Sequence, residues 1–340
     1  MVDESERSVT ITQIAREAGV SVPTVSRVVN GRGDVATATR ERVEELLRRH
    51  GYRRPLRARG TSRAGLLDLV FDDLDSPWAV EIIRGVEDVA HAAGVGTVVS
   101  AVHRRTTSAR RWLGNLRARA SDGVVLVASS LAPGLARELL EAAVPVVVVD
   151  PTGGPVEGAP SVGATNWAGG LSATEHLVRL GHRRVAHVSG PTGMLCSRAR
   201  LDGYRAGVES AGLVVDPALV REGDFYQESG LREGAALLAL PDPPTAVFAA
   251  SDQIALGVYE AVRRAGLRVP EDVSVVGFDD LTLAAWTSPP LTTVRQPLAE
   301  MGALAARTVL AAAAGEAPAN PRVELATSLV LRDSTAPPRS

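Results

Sequence analysis

Lysine is absent from the 340-residue sequence, in which all 37 basic residues are arginine. Mechanisms that need a lysine amine, such as a Schiff base or a GxxxxGK phosphate loop, are therefore excluded. The one cysteine, Cys196, cannot form an internal disulfide, which favours a reducing cytoplasm. The opening residues, MVDESERSVT, do not resemble a secretory signal, and no apolar run reaches membrane-spanning length. We expect a cytoplasmic protein without membrane contact.

Catalytic motifs are also missing. There is no GxGxxG opening a helix, no HExxH and no Cys/His cluster, and the six scattered histidines form no evident triad with the single cysteine. We therefore expect neither an enzyme nor a bound cofactor or metal. Aromatic residues make up only 4% of the chain, so the position of each tryptophan is informative.

The net charge of −2 conceals an asymmetry. Residues 1–60 carry 12 arginines and 8 acidic residues, a balance of +4, which leaves −6 for the remainder. Residues 48–63 hold seven arginines and no acid, as expected of a segment that lies along phosphates or, alternatively, of a solvated linker.

Three short amphipathic helices are predicted in the first 51 residues. Ile14, Ala15 and Ala18 recur at helical spacing, and Gly19 ends that helix. Ser21 is a good N-cap for a second helix, and Val43 begins the apolar face of a third. This pattern is typical of a helix-turn-helix domain, the alternative being a generic bundle for protein contacts.

The segment 9–30, VTITQIAREAGVSVPTVSRVVN, resembles the DNA-binding headpiece of the lac repressor family, and the resemblance extends through nearly the whole chain. It implies that the second helix enters the major groove. Arg27 can donate two hydrogen bonds to guanine, whereas Val22 and Pro23 offer apolar contact. The predicted DNA contacts are Thr10, Ser21, Val22, Pro23, Thr24, Ser26, Arg27, Asn30, Tyr52, Arg57 and Arg59.

The linker, residues 52–64, departs from the family pattern. Relatives place a leucine there that wedges into the minor groove, but no leucine stands at the expected distance after Pro55. Arginine is attracted to a narrow minor groove, so we expect Arg57 and Arg59 to hold the operator centre electrostatically.

The remaining residues alternate short apolar runs with amphipathic segments, which indicates parallel strands joined by helices. The runs are LLDLVF, VGTVVSAV, GVVLVAS and VPVVVVD, then SVGAT, RVAHVSG, TAVFAAS and VSVVGFD. Two groups of four predict two doubly wound subdomains. The resemblance implies a periplasmic-binding-protein-like core, residues 65–340, with an N-subdomain (about 65–164 and 297–325) and a C-subdomain (about 165–294 and 326–333). It also implies three crossings between them, near Thr165, Val294 and Ala326.

Ligands in such sheets bind beyond the carboxyl ends of the strands. Aromatic faces there can pack on a sugar ring, while carboxylates and a guanidinium bind its hydroxyls. By resemblance, Arg200 in CSRARLDGY and Asp279 in VSVVGFDD are the expected polar partners. The alternative for this pair is a salt bridge between lobes. The predicted ligand residues are Trp78, Asp150, Asn166, Trp167, Arg200, Phe225, Ser251, Asp252, Asp279, Trp286 and Gln296.

These features together predict a repressor of carbohydrate genes, nucleoid-associated, that a sugar releases from a near-palindromic operator. Because one headpiece makes few base contacts, we expect a homodimer, and the closing STAPPRS carries no heptad helix for a tetramer. A corepressor-type regulator sensing a nucleobase or phosphorylated metabolite is the alternative. An exported solute-binding protein would lack a basic headpiece.

Overall fold

The computed structural model describes residues 11–29, 35–50, 64–102, 106–127, 138–139, 144–151 and 159–339. Residue contacts divide the chain into two units, Met1–Ser62 and Arg63–Ser340. We refer to them as the headpiece and the core domain.

Three helices form the headpiece: α1 (Ile11–Ala18), α2 (Val22–Val29) and α3 (Thr37–Arg49). The residues predicted to face inward do so, with Ile14, Val25 and Val43 fully buried. Ser21 caps α2 as predicted, because its hydroxyl accepts a hydrogen bond from the Thr24 amide at 3.3 Å. The tight turn at Gly19 has a φ of +66°, a conformation that glycine adopts without strain.

The first lobe of the core domain is a six-stranded parallel sheet in the order β11-β5-β4-β3-β1-β2. Alternate residues along these strands face α4 and α10 on one side and α5 on the other, so both faces are buried. The elements are β1 (Leu66–Phe71), α4 (Pro77–Ala92), β2 (Gly96–Ala101), α5 (Thr106–Arg119), β3 (Gly123–Val127), β4 (Val146–Val149), β5 (Ser161–Ala164), α10 (Leu298–Ala313) and β11 (Arg322–Leu325).

The second lobe has the strand order β12-β10-β9-β8-β6-β7, and only β12 runs antiparallel to its neighbour. Helices α6 and α7 cover one face of this sheet, and α8 and α9 cover the other. The elements are α6 (Asn166–Arg179), β6 (Val185–Ser189), α7 (Leu195–Ser210), β7 (Val220–Glu222), α8 (Gln227–Leu238), β8 (Ala246–Ala249), α9 (Asp252–Arg264), β9 (Ser274–Asp279), β10 (Thr292–Arg295) and β12 (Ser328–Val330).

The chain passes between the lobes at three places. They lie at Thr165, between β5 and α6; at Gln296 and Pro297, between β10 and α10; and at Ala326 and Thr327, between β11 and β12. The first and third are tied together, because the Thr327 amide donates to the Thr165 hydroxyl oxygen at 3.0 Å. The predicted fold class, a helical headpiece followed by two parallel-sheet lobes, is confirmed.

The grouping of strands differs from the expected two sets of four. SVGAT forms β5 of the first sheet, where Val149 pairs with Val162, rather than the first strand of the second sheet. The second lobe is completed instead by β7, β10 and β12, which are short and lack a distinctive apolar run. The second lobe also extends beyond residue 333, since the Ser334 hydroxyl donates to the Val275 carbonyl at 2.6 Å.

In each of the three major helix pairs, both helices carry a glycine at the point where they touch. A Cβ at Gly170 on α6 would lie 2.4 Å from the Arg200 carbonyl oxygen on α7, and a Cβ at Gly203 would lie 2.2 Å from the Trp167 carbonyl oxygen. Equivalent reciprocal contacts join α4 to α10 through Gly85 and Gly302, and α8 to α9 through Gly230 and Gly257. The helices therefore touch backbone to backbone, which leaves no room for a side chain.

We expect Gly170→Ala to lower the free energy of unfolding of the core domain by about 1 to 3 kcal/mol, because α6 and α7 must separate. The matched control is Gly114→Ala in α5, where an added Cβ meets nothing within 4 Å. That change should instead stabilise the domain by about 0.5 to 1 kcal/mol, since alanine favours the helix interior. Urea unfolding followed by circular dichroism measures both. Equal effects of the two substitutions would contradict the proposed role of the glycine contacts.

Candidate functional site

A cleft lies between the two lobes at the carboxyl ends of their strands. Sequence analysis predicted six of its lining residues: Trp78, Asp150, Arg200, Phe225, Ser251 and Asp279. The structure brings these six together from four strand ends, from the first turn of α4 and from the second turn of α7. The other described lining residues are Phe71, Asp72, Asp73, Ser76, Ala79, Val127, Pro191, Met194, Cys196, Asp224, Tyr226 and Gln253.

Arg200 lies at the centre of the cleft floor and is only 3% exposed. Its Nε donates to Asn166 Oδ1 at 2.8 Å, and its Nη1 donates to the Ala250 carbonyl at 2.6 Å. The guanidinium lies 3.8 Å from the centroid of the Phe278 ring, a cation–π contact that orients its plane. The Arg200 side chain is therefore restrained by Asn166 beside the first crossing, by Ala250 after β8 and by Phe278 on β9.

Two carboxyl groups flank Arg200. Asp279 Oδ1 lies 3.8 Å from Arg200 Nη1 and accepts a hydrogen bond from Gln296 Nε2 at 2.6 Å. Burial raises the pKa of Asp279 to about 7, while Arg200 and Gln296 oppose this shift and Asp150 adds to it. Burial likewise raises the pKa of Asp150 above its usual value, against the positive charge of Arg200. The cleft floor thus resists additional negative charge.

Backbone strain is concentrated at this site. Asp150, Phe225 and Asp279 have φ values of 48°, 75° and 118°, respectively. Such conformations cost about 1 to 3 kcal/mol each for residues other than glycine, and the surrounding structure must compensate. All three residues line the cleft, Asp279 at the last position of β9, Asp150 directly after β4 and Phe225 three residues after β7.

Of the aromatic residues that line the cleft, Trp78 and Phe225 belong to opposite lobes. Trp78 lies in the first turn of α4, whose cap residue Ser76 accepts a hydrogen bond from the Trp78 amide at 3.3 Å. The Phe225 ring packs over Gly190 so closely that a Cβ there would lie 2.1 Å from it. Ser251 holds the Phe225 backbone, since its hydroxyl donates to the Phe225 carbonyl at 2.8 Å. These rings are suited to the apolar faces of a sugar.

The two lobes are joined across the mouth of the cleft by two hydrogen bonds. The Tyr226 hydroxyl donates to Asp73 Oδ1 at 3.0 Å, and the Ser76 hydroxyl donates to Gln253 Oε1 at 2.9 Å. Sequence analysis missed these four residues. Asp72 and Asp73 directly follow β1, so the rule that ligand groups follow strands would have found them. Tyr226 and Gln253 adjoin residues that were predicted.

Three of the predicted ligand residues do not line the cleft but lie behind the residues that do. Asn166 holds Arg200 and also donates to the Ala164 carbonyl at 3.1 Å. Gln296 holds Asp279. Asp252 is fully buried and accepts from the Leu281 amide at 2.7 Å and from the Thr293 hydroxyl at 2.5 Å, so neither oxygen faces a ligand.

Two predicted tryptophans lie outside the cleft. Trp286 is 79% exposed at the end of the short 3-10 helix Thr282–Ala285, because Leu281 and Ala284 are the residues of that loop that pack inward. Trp167 is 48% exposed and lines a second pocket with Asn166, Asp150, Cys196 and the edge strand β11. Burial raises the pKa of the Cys196 thiol to about 12, so it is not a reactive cysteine.

In the headpiece, the predicted contact residues that the structure describes lie on α2 and at its N-cap. Ser21, Pro23 and Arg27 are exposed, and Val22 and Thr24 are partly buried. Ser26 lies in the same helix. Thr10, Asn30, Tyr52, Arg57 and Arg59 lie outside the described residues.

Among the residues that the structure describes, no three His, Cys, Asp or Glu side chains are grouped to hold a metal ion. Within the same ranges, every helix is too short or too polar to span a bilayer.

Comparisons with known proteins agree with both units. Residues 10–55 match the model of bacterial regulatory proteins of the lacI family, and residues 174–335 match the periplasmic binding protein-like domain. The regulator CelR of Thermobifida fusca is 38% identical over 97% of this chain and 99% of its own length. The repressor CytR of Escherichia coli K12 is 32% identical over 98% of each chain.

Two solved structures share the fold. A complex of the regulator CelR with cellobiose matches with a TM-score of 0.75 and 37% identity, over 96% of this chain and 99% of that one. A lac repressor dimer bound to operator matches with a TM-score of 0.71 and 31% identity, over 97% of this chain and 100% of that one. The chain belongs to the lacI family of bacterial regulatory proteins and is a DNA-binding transcriptional regulator.

Proposed function

We propose that this regulator represses carbohydrate uptake or catabolism genes and that a sugar bound in the interlobe cleft releases it from its operator. One observation carries the proposal: Arg200 and Asp279 lie together on the cleft floor between Trp78 and Phe225. A guanidinium donates hydrogen bonds to sugar hydroxyls and a carboxylate accepts them, while the rings cover the apolar faces. The cellobiose complex of a relative supports this choice of ligand.

The lobes supply a route from ligand to DNA. Asp252 anchors the Leu281 amide, and Leu281 packs in the apolar core of the first lobe. Gln296, which lies in the crossing between β10 and α10, donates to Asp279 on the cleft floor. A sugar that favours one lobe arrangement therefore biases the position of all three crossings, and it acts only through its different affinity for the two arrangements.

The protein works as a cytoplasmic homodimer on a near-palindromic operator. One headpiece presents a single short recognition helix, α2, and two such helices together give useful affinity. The dimeric lac repressor bound to operator supports this assembly. The functional division is a headpiece over 1–51, a linker over 52–64 with Arg57 and Arg59 at the operator centre, and a sensing core from 65 onward. The proposal assigns no reaction to the cleft.

Asp279→Asn should separate sensing from DNA binding. Asparagine keeps an oxygen that can accept the hydrogen bond from Gln296, but it removes the carboxylate charge to which sugar hydroxyls donate. Ligand affinity should therefore fall about ten- to a hundredfold. Operator titrations with and without cellobiose should show normal binding and no release. Arg295 is a nearby exposed residue that pairs with Asp280. Arg295→Ala serves as the control and should still be released from the operator by cellobiose. Full release of Asp279→Asn at the wild-type ligand concentration would remove this residue from the sensing site.

Arg200→Ala is a poorer test than Asp279→Asn. The substitution would leave Asn166 Oδ1 and the Ala250 carbonyl oxygen buried without their donor. Each such loss costs about 1 to 3 kcal/mol, so failure to respond would also reflect unfolding.

Arg27→Ala should weaken binding to the operator by about 1 to 3 kcal/mol and relax the preference for guanine at one position of each half-site. The matched control is Arg42→Ala on α3, an equally exposed arginine outside the predicted recognition set. Fluorescence anisotropy on a selected operator and on single-base variants measures both changes. Uniform weakening across all the variants would assign Arg27 to a phosphate instead.

Sugar affinity should increase with pH. Arg200, Gln296 and Asp150 face Asp279, whose pKa of about 7 means that its carboxyl is partly protonated near neutrality. A raised pKa stabilises the folded chain at low pH, and this contribution is lost as the pH rises through about 7. Sugar hydroxyls donate to the ionised form, so affinity for cellobiose should rise by up to about tenfold between pH 6 and pH 8. Calorimetry should find this slope in the wild type and a clearly smaller one in Asp279→Asn, where Asp150 is the remaining cleft carboxyl group whose pKa burial raises.

A further inference from the structure

The cleft is strongly acidic. Its described lining carries five carboxyl groups, on Asp72, Asp73, Asp150, Asp224 and Asp279, and one cationic side chain, on Arg200. The carboxyl groups come from both lobes and from both the floor and the mouth. Burial raises the pKa of Asp150 and of Asp279, yet the lining still places more carboxyl groups than cations beside a ligand.

Arg200 is poorly placed to neutralise a bound anion. Two of its N–H donors are used by Asn166 and Ala250, and its charge already faces Asp279 and Asp150. A phosphate dianion near this group would also lie near both carboxyl groups. In a buried site, where water screens little, the repulsion between the phosphate and the two carboxyl groups outweighs the attraction of the phosphate to Arg200, because that guanidinium already compensates the carboxyl groups.

Four helix N-termini lie at the cleft, where phosphate often binds; serine hydroxyls cap two of them, and carboxyl groups lie beside the other two. Ser76 caps α4, Ser251 caps α9 at 3.1 Å from the Ile254 amide, and Asp224 accepts from the Tyr226 amide at 2.9 Å before α8. At the first turn of α7, which has no side-chain cap, the Asp150 carboxyl is a close neighbour of the Cys196 thiol. At each of these ends an anion would therefore meet either a capped amide or a carboxyl group.

We propose that the cleft accepts only uncharged sugars and rejects the phosphorylated or carboxylated forms of the same sugars. This inference rests on the proposed function and specifies its ligand class. It also gives the ligand a place in a reaction sequence: the signal is the sugar before any kinase acts on it. Uptake that phosphorylates the sugar during transport would not produce the signal, and a later phosphorylation would end it.

The test is calorimetry on the full-length protein with cellobiose, glucose, galactose and maltose, each compared with its own 6-phosphate. We expect at least one neutral sugar to bind and its 6-phosphate to bind at least about a hundredfold more weakly. A 6-phosphate that binds as tightly as its parent sugar would overturn the inference and leave a sugar sensor intact. If no neutral sugar binds and a 6-phosphate does, both the inference and the proposed ligand class are wrong.

A second measurement shows whether the cleft charge causes the discrimination. The double variant Asp73→Asn, Asp224→Asn removes two mouth charges but keeps oxygens that can accept from Tyr226. It should reduce the ratio of the two dissociation constants about tenfold. Asp88→Asn makes the same charge change at an exposed position on α4, away from the cleft, and should leave the ratio unchanged. Equal ratios in the double variant and the wild type would show that shape, not charge, rejects the phosphate.

Discussion

The buried guanidinium of Arg200 is the group on which the arrangement of the cleft depends. It is bonded to Asn166 beside the first crossing, to Ala250 after β8, and it lies against Phe278 of β9. A buried cation must be paired or solvated by the protein, and here Asp150 and Asp279 supply the compensating charge. Removing any partner leaves an uncompensated group in the interior, so the floor behaves as one unit.

The mouth of the cleft is held differently from its floor. At the mouth, a tyrosine–carboxylate bond and a serine–glutamine bond join the lobes, and their partners are partly accessible to water. Such bonds are individually weak in net terms, so they can exchange with water or with a ligand hydroxyl. The floor is thus preorganised while the mouth is adjustable, a division that suits a site that must admit a ligand and then respond to it.

Much of this architecture could be predicted from sequence because it depends on local patterns. Helical spacing gave the headpiece core, including Ile14 and Val43, and apolar runs gave the central strands. Position after a strand gave Asp150, Arg200 and Asp279. The same rule failed for Trp286, because a 3-10 turn of four residues carries it past the cleft, and for Asp252, whose oxygens are used within its own lobe. The edge strands β7 and β12 are defined by pairing with distant residues, which no local window contains.

The reciprocal glycine contacts bear on how such a scaffold can diversify. Six glycines join the helices of both lobes backbone to backbone, whereas much of the cleft lining consists of side chains on loops that follow strands. Substitutions at the loops leave the helix contacts untouched, so the ligand preference can drift without loss of the lobe's rigidity. On this DNA-binding frame we expect changes in the loops to alter which sugar is sensed, and we expect the six glycines to tolerate the fewest substitutions.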